Sequence, residues 1–224
     1  MISVEALVED RSGSVILGGI LDAFTSVSDT PFSYRLHPHR GIGSPRFDWN
    51  RRPDPMATTL FALLPAELRA YNRVLSPAKN LVIIVFDADD GNPENLKETV
   101  GHMTRKFLPD LPAVIGVAVE ELESWLLGDV AALKSAYPDG HFEHWKNYRQ
   151  DSICGTWEVL CRIIMGSKAE ELIALGYPAV GQFKYEWAER IAPHLSVETN
   201  ASPSLHRFIH RLESVMSDMT GASN

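Results

Sequence analysis

Residues 80–86 read Asn80-Leu81-Val82-Ile83-Ile84-Val85-Phe86 and run directly into Asp87-Ala88-Asp89-Asp90-Gly91-Asn92-Pro93. An uninterrupted apolar, β-branched run of this kind predicts a strand covered by helices on both faces. The acidic segment after it, with its Gly and Pro, predicts a turn. Residues 93–107 then carry an amphipathic helical pattern. Residues 113–119 (AVIGVAV) form a second buried-strand pattern, and residues 120–127 a helix. Strand, helix, strand and helix joined by short links indicate an α/β domain with a mostly parallel sheet.

Outward from this core, residues 2–7 read as a short strand holding one acid, and residues 14–24 as a helix despite two glycines. Residues 26–55 are rich in Pro, Gly, Ser and Arg and read as a long irregular connection, a length that usually signals function or mobility. Residues 57–75 are helical, with an interruption expected at Pro65. After about Tyr137 no strong strand follows. Residues 156–165, 169–175, 183–194 and 205–219 read as helices, the last with Ser204 as its N-cap. The expected organisation is an α/β domain over residues 1–135, carrying a basic insert at about 26–56. A helical region over residues 136–224 packs on the same domain.

The chain has 224 residues, 45% hydrophobic and 22% charged, an ordinary composition for a globular protein with a core. No apolar run approaches the roughly 18–20 residues that cross a bilayer, so no membrane contact is expected. The N-terminus shows no basic stretch followed by an apolar one, so no secretory leader is expected. Cys154 and Cys161 are too few for a disulfide framework and read as two buried small hydrophobes. These features together predict a cytoplasmic setting.

The net charge of -8 argues against a surface dominated by nucleic-acid-binding charge. Within that acidic chain, residues 33–54 gather Arg35, Arg40, Arg46, Arg51 and Arg52 against only Asp48 and Asp54, beside His37 and His39. A phosphate-contacting face has this composition. So does a solvated loop paired with the acidic remainder, and charge alone weighs the two equally.

Ligands of parallel α/β sheets gather at the carboxyl ends of the strands. Acids stand in or after each strand pattern: Glu5, then Asp87 and Asp89, then Glu120, Glu121 and Glu123. The i,i+2 spacing of Asp87 and Asp89 lets an extended backbone present both to one face. Magnesium wants hard oxygens and takes only one or two carboxylates, keeping its waters. The competing reading is helix capping and first-turn complementation of the dipole, enough by itself to explain Glu120 and Glu121. Glu5 in an apolar strand is harder to explain that way, because an unpartnered buried carboxylate is expensive. Glu9 is either a metal-site or general-base residue or a first-turn acid. Glu123 lies one turn along its helix, within reach of the cluster. Lys184 is a candidate support for the site, against a plain surface lysine. Trp125 reads as core rather than as a base-stacking surface.

Several blocks resemble a known family. Val4-Glu5-Ala6-Leu7-Val8-Glu9 resembles the first Toprim motif, and Val85-Phe86-Asp87-Ala88-Asp89 its Asp-x-Asp motif. Glu121-Leu122-Glu123-Ser124-Trp125-Leu126-Leu127-Gly128-Asp129, His39-Arg40-Gly41-Ile42-Gly43, Lys184-Tyr185-Glu186-Trp187-Ala188 and Asn200-Ala201-Ser202-Pro203-Ser204-Leu205 resemble blocks of the DUF4276 proteins. These are small bacterial Toprim-like proteins related to RloB-type and OLD-type nuclease domains. The resemblance spans residues 2–212. Two positions depart from it: Ala6 stands where Toprim motifs have Gly, and Ile42 where the loop block has Lys. The resemblance implies a Toprim-like, mostly parallel sheet flanked by helices, with Mg or Mn held by Glu5, Asp87 and Asp89. Together with the reading of the residues above, this makes Glu5, Glu9, Asp87, Asp89 and Glu123 the catalytic candidates and His39, Arg40, Arg46 and Lys184 the substrate-binding ones. The implied activity is cleavage of phosphodiester bonds in nucleic acid, in anti-phage defence, beside an ATPase partner. The alternative is a non-catalytic Toprim-like subunit that binds a partner ATPase or nucleotide.

Overall fold

In the computed structural model, which describes residues 1–44, 49–50 and 54–221, β1 (Ile2–Val8), β2 (Phe32–Pro38), β3 (Asn80–Asp87) and β4 (Ala113–Ala118) form one all-parallel sheet ordered β2-β1-β3-β4. The α/β class and the parallel sheet are as the sequence predicts. β2 is an addition, because it lies inside the segment read as an irregular connection. Its period-two alternation of Phe32, Tyr34 and Leu36 with polar residues is a strand signal, weakened because on this edge strand only Phe32 is fully buried.

The continuous apolar character of β3 follows from its position between two layers. Leu81, Ile83 and Val85 face one core, and Val82, Ile84 and Phe86 the other. α2 (Leu60–Val74) and α3 (Pro93–Phe107) cover the second face. α2 runs through Pro65 without the expected interruption. The first face is covered by α1 (Arg11–Val27) and by the helices after β4: α4 (Glu123–Leu127), α5 (Val130–Ala136), α6 (Thr156–Met165), α7 (Ala169–Leu175), α8 (Ala179–Ile191) and α9 (Pro203–Gly221). Residues beyond 136 therefore share one core with β1 and α1. Gly116 on β4 lets α9 approach closely, since a Cβ there would lie 2.9 Å from the Phe208 ring. Among the described residues no helix is long and apolar enough to cross a membrane.

Three local expectations change. Ser204 is not the N-cap of α9. It lies inside the helix, where its hydroxyl accepts from the Trp125 indole at 2.8 Å, and Ser202 meets the Leu205 N–H instead at 3.4 Å. Cys161 is buried but Cys154 is exposed. α4 starts only at Glu123, because Glu120 adopts a left-handed backbone (φ 62°). The Glu120 carboxylate instead accepts the N–H groups of Cys154, Gly155 and Thr156 and the Thr156 hydroxyl, capping α6 from a distance.

Candidate functional site

α1 leaves β1 on one side of the sheet and returns to β2, whereas β3 lies on the other side of β1. The carboxyl ends of β1 and β3 therefore flank a topological switch point, where a crevice opens in sheets of this kind. Two acids stand there. Glu9 follows β1 directly, its N–H donating to the Val85 carbonyl, and Asp87 ends β3. The Asp87 N–H donates to Glu9 Oε2 at 2.9 Å, and Asp87 Oδ1 accepts from the Leu122 N–H at 2.9 Å. Asp89 follows in a left-handed backbone (φ 46°), and its N–H bonds the Glu120 carbonyl at 2.8 Å. A cavity of about 820 Å³ opens over these acids, lined also by Arg11, Arg40, Glu121, Tyr177 and Lys184.

Glu5 is not part of this cluster. It pairs in register with Val82, and the five residues from there to Asp87 span roughly 16 Å at about 3.3 Å each. The strand alternation also puts Glu5 on the face of Leu7, opposite to that of Asp87. Glu5 is buried and its carboxylate is accounted for locally, with His37 Nε2 at 2.7 Å and Arg35 at 3.8 Å. The physical reason for the misplacement is plain. Glu5 sits mid-strand, and the acid that reaches the sheet's edge is the residue after the strand ends, Glu9.

The remaining candidates divide. Lys184 is not a surface lysine. It is 4% exposed at the cavity floor, with Nζ 3.4 Å from Glu121 Oε1 and 3.2 Å from Glu123 Oε1. Glu123 is 2% exposed and does not line the cavity, so it acts on the site from behind, through its ion pair with Lys184 and its charge near Asp87 and Glu121. The short Lys184–Glu123 separation is an ion pair without the alignment of a hydrogen bond, since Glu123 Oε1 has no hydrogen-bond partner. His39 lines the cavity wall and is buried. Its Nδ1–H donates to the Val8 carbonyl at 2.9 Å, and Nε2 lies 3.2 Å from both Glu67 oxygens. Arg40 lines the cavity rim and is exposed. Arg46, with Arg51 and Arg52 of the same basic segment, lies outside the described residues. Ile42 packs partly buried against the α2/α3 core rather than facing the acids. The sequence left Glu121 explicable as a helix-start acid, gave Tyr185 no role beyond its place in a family-like block, and did not point to Arg11 or Tyr177.

Burial and mutual repulsion hold these acids toward their protonated forms. Burial, with repulsion from Asp89 and Asp10, pushes Glu9 up to about 7 against the opposing Asp87 N–H. Burial and the neighbouring Glu9 and Glu123 raise Asp87 well above its ordinary value, and burial raises Asp89. Burial and Glu123 push Glu121 to about 8. For Lys184, burial alone would lower the affinity for its proton, but Glu123 and Glu121 outweigh it and the ammonium stays charged. Burial thus brings the carboxyl groups of Glu9 and Glu121 up toward the neutral range. Among the described residues no three or more His, Cys, Asp or Glu side chains stand in metal-binding geometry.

No family model, curated protein or solved structure matches the chain.

Proposed function

We propose that this chain is a divalent-cation-dependent phosphodiesterase acting on nucleic acid, with Mg or Mn held by Glu9 and Asp87, its remaining positions filled by water and Asp89 standing beside them. The observation that carries this reading is the Glu9–Asp87 pair, fixed by one backbone hydrogen bond at the switch point of a parallel sheet. The donor chemistry fits. These are hard carboxylate oxygens that repel one another, and a cation relieves that repulsion. A magnesium ion that keeps most of its waters needs no cage of three side chains. Such an ion, when bound, supplies polarisation of a phosphoryl oxygen and a more acidic water. The chain's own residues supply the rest. The Leu122 and Asp87 N–H groups fix the two carboxylates, Arg40 and Arg11 stand where phosphate oxygens would enter, and Lys184 neutralises Glu121 and Glu123 from below.

The resemblance to Toprim-like DUF4276 proteins supports the same chemistry and adds a setting in anti-phage defence beside an ATPase. One observation favours the alternative of a non-catalytic subunit: Lys184 already partly neutralises the acids. The two readings separate on one experiment. The protein is titrated with MgCl2 and MnCl2 while cleavage of labelled DNA and RNA is followed, for wild type, Glu9→Gln and Asp87→Asn. Cation-dependent cleavage lost in both variants supports the enzyme. Cation binding with no cleavage on any substrate, with or without ATPase, would leave the binding subunit.

A further inference from the structure

The mouth of the same cavity carries aromatic surface that phosphate chemistry does not need. Tyr177, just before α8, is 63% exposed, an unusual exposure for a large ring. Its ring lies over the buried Lys184 ammonium, with Nζ 5.8 Å from the centroid. One face of the ring therefore covers the cation that serves the acids, and solvent reaches the rest. On α8, Tyr185 lines the same wall. Arg11 stacks over it at 5.1 Å, and its hydroxyl donates to Glu189 at 2.6 Å, which fixes the ring. Trp125, the aromatic nearest in sequence to the acids after β4, is fully buried against Phe208 and offers no such surface.

We propose that Tyr177 and the Arg11–Tyr185 stack form a base-stacking platform, and that the substrate class is single-stranded nucleic acid with unpaired bases. This rests on reading the cavity as a nucleic-acid site and adds its substrate. Bases in a duplex already stack on one another and present backbone and base edges, not their faces, to such a wall. Unpaired bases are free to lie on an aromatic face, in any sequence, because every base has one. The cavity is of the size that takes a nucleotide. Its carboxylates outnumber its lysine and arginines, so phosphate attraction alone holds a strand poorly there. Stacking supplies affinity that this negative charge does not oppose.

The test is binding by fluorescence anisotropy, in calcium to limit cleavage. The probes are a labelled 12-nucleotide mixed-sequence DNA strand, its duplex, and an abasic strand of the same length. The proteins are wild type, Tyr177→Ala, Tyr177→Phe and Tyr185→Ala, each checked for folding by circular dichroism. Wild type should bind the single strand at least tenfold tighter than the duplex or the abasic strand. Tyr177→Ala should lose about tenfold on the normal strand and less than twofold on the abasic one. Tyr177→Phe, which keeps the ring, should stay within twofold of wild type. Equal losses on normal and abasic strands would show that Tyr177 acts through Lys184 and not through bases, overturning the platform while leaving a phosphate-binding site intact. Duplex binding as tight as single-strand binding overturns it in the same way. Wild type binding none of the probes would overturn both the platform and the nucleic-acid reading beneath it.

Discussion

The backbone N–H of Asp87 donates to the carboxylate of Glu9 at 2.9 Å, joining the residue that ends β3 to the residue that follows β1. A side chain from one strand end is thereby held by the main chain of the next, and the spacing of two half-buried acids is set by the sheet itself. That join is where the switch-point geometry and the chemistry of the cavity meet, and the first prediction concerns it.

MgCl2 at millimolar concentration should raise the melting temperature of wild type by mass action, because a cation that binds only the folded state stabilises it by about 2.7 kcal/mol at a hundredfold excess over Kd. Glu9→Gln and Asp87→Asn should each lose most of that shift, while showing equal or greater stability without cation, since one repelling acid is gone. Differential scanning fluorimetry with and without EDTA checks it. A full magnesium shift in both variants would place the cation elsewhere.

Glu5→Gln provides the contrast. Glu5 is on the opposite face, and its partners are His37 and Arg35. The substitution should cost about 1 kcal/mol of stability and leave the magnesium shift unchanged. Urea denaturation and the same cation titration read the two effects separately.

Lys184→Met should be strongly destabilising, by about 3 kcal/mol or more, because it leaves Glu121 and Glu123 buried without their cation. Adding Glu123→Gln should recover a large part of the loss. A double-mutant cycle by chemical denaturation measures the coupling, and additive losses would mean the pair contributes nothing jointly.

His39 makes the fold's stability depend on pH. Its two ring nitrogens face two acceptors, the Val8 carbonyl and the Glu67 carboxylate, and only the imidazolium can donate to both. Burial alone would lower its affinity for a proton, but the Glu67 hydrogen bond and charge, with the Val8 carbonyl, outweigh it and raise it. A raised folded value means the stabilisation is complete below the ordinary histidine value of 6.5 and fades as pH climbs above it. Wild type should exceed Glu67→Gln by about 1–2 kcal/mol at pH 6, and the gap should narrow by pH 8.5. Denaturation curves at the two pH values check the sign, and a gap that widens with pH would refute it.

The layers were legible in the hydrophobic pattern of the chain. The apolar run of β3 and the weaker one of β4 made a covered parallel sheet legible, and α3, α6 and α7 fell where the helical periodicity put them. The position of Asp87 and Asp89 at the sheet's carboxyl edge was also legible, because they directly follow the strongest strand pattern in the chain. Tertiary structure alone decided which acid joins them. Glu5 and Glu9 are both acids of one short segment, and the β1–β3 register, a non-local quantity, puts Glu5 beside Val82 and Glu9 beside the end of β3. Likewise the helical spacing of Val180, Lys184, Trp187 and Ile191 puts Lys184 on the apolar face of α8, but nothing local shows what compensates its charge there, or marks Tyr177 as exposed. Lys184 is buried because α8 packs against α1 and turns that residue toward Glu121 and Glu123, where two carboxylates compensate its desolvation. Tyr177 stays in solvent because it precedes the helix, above the cation it covers.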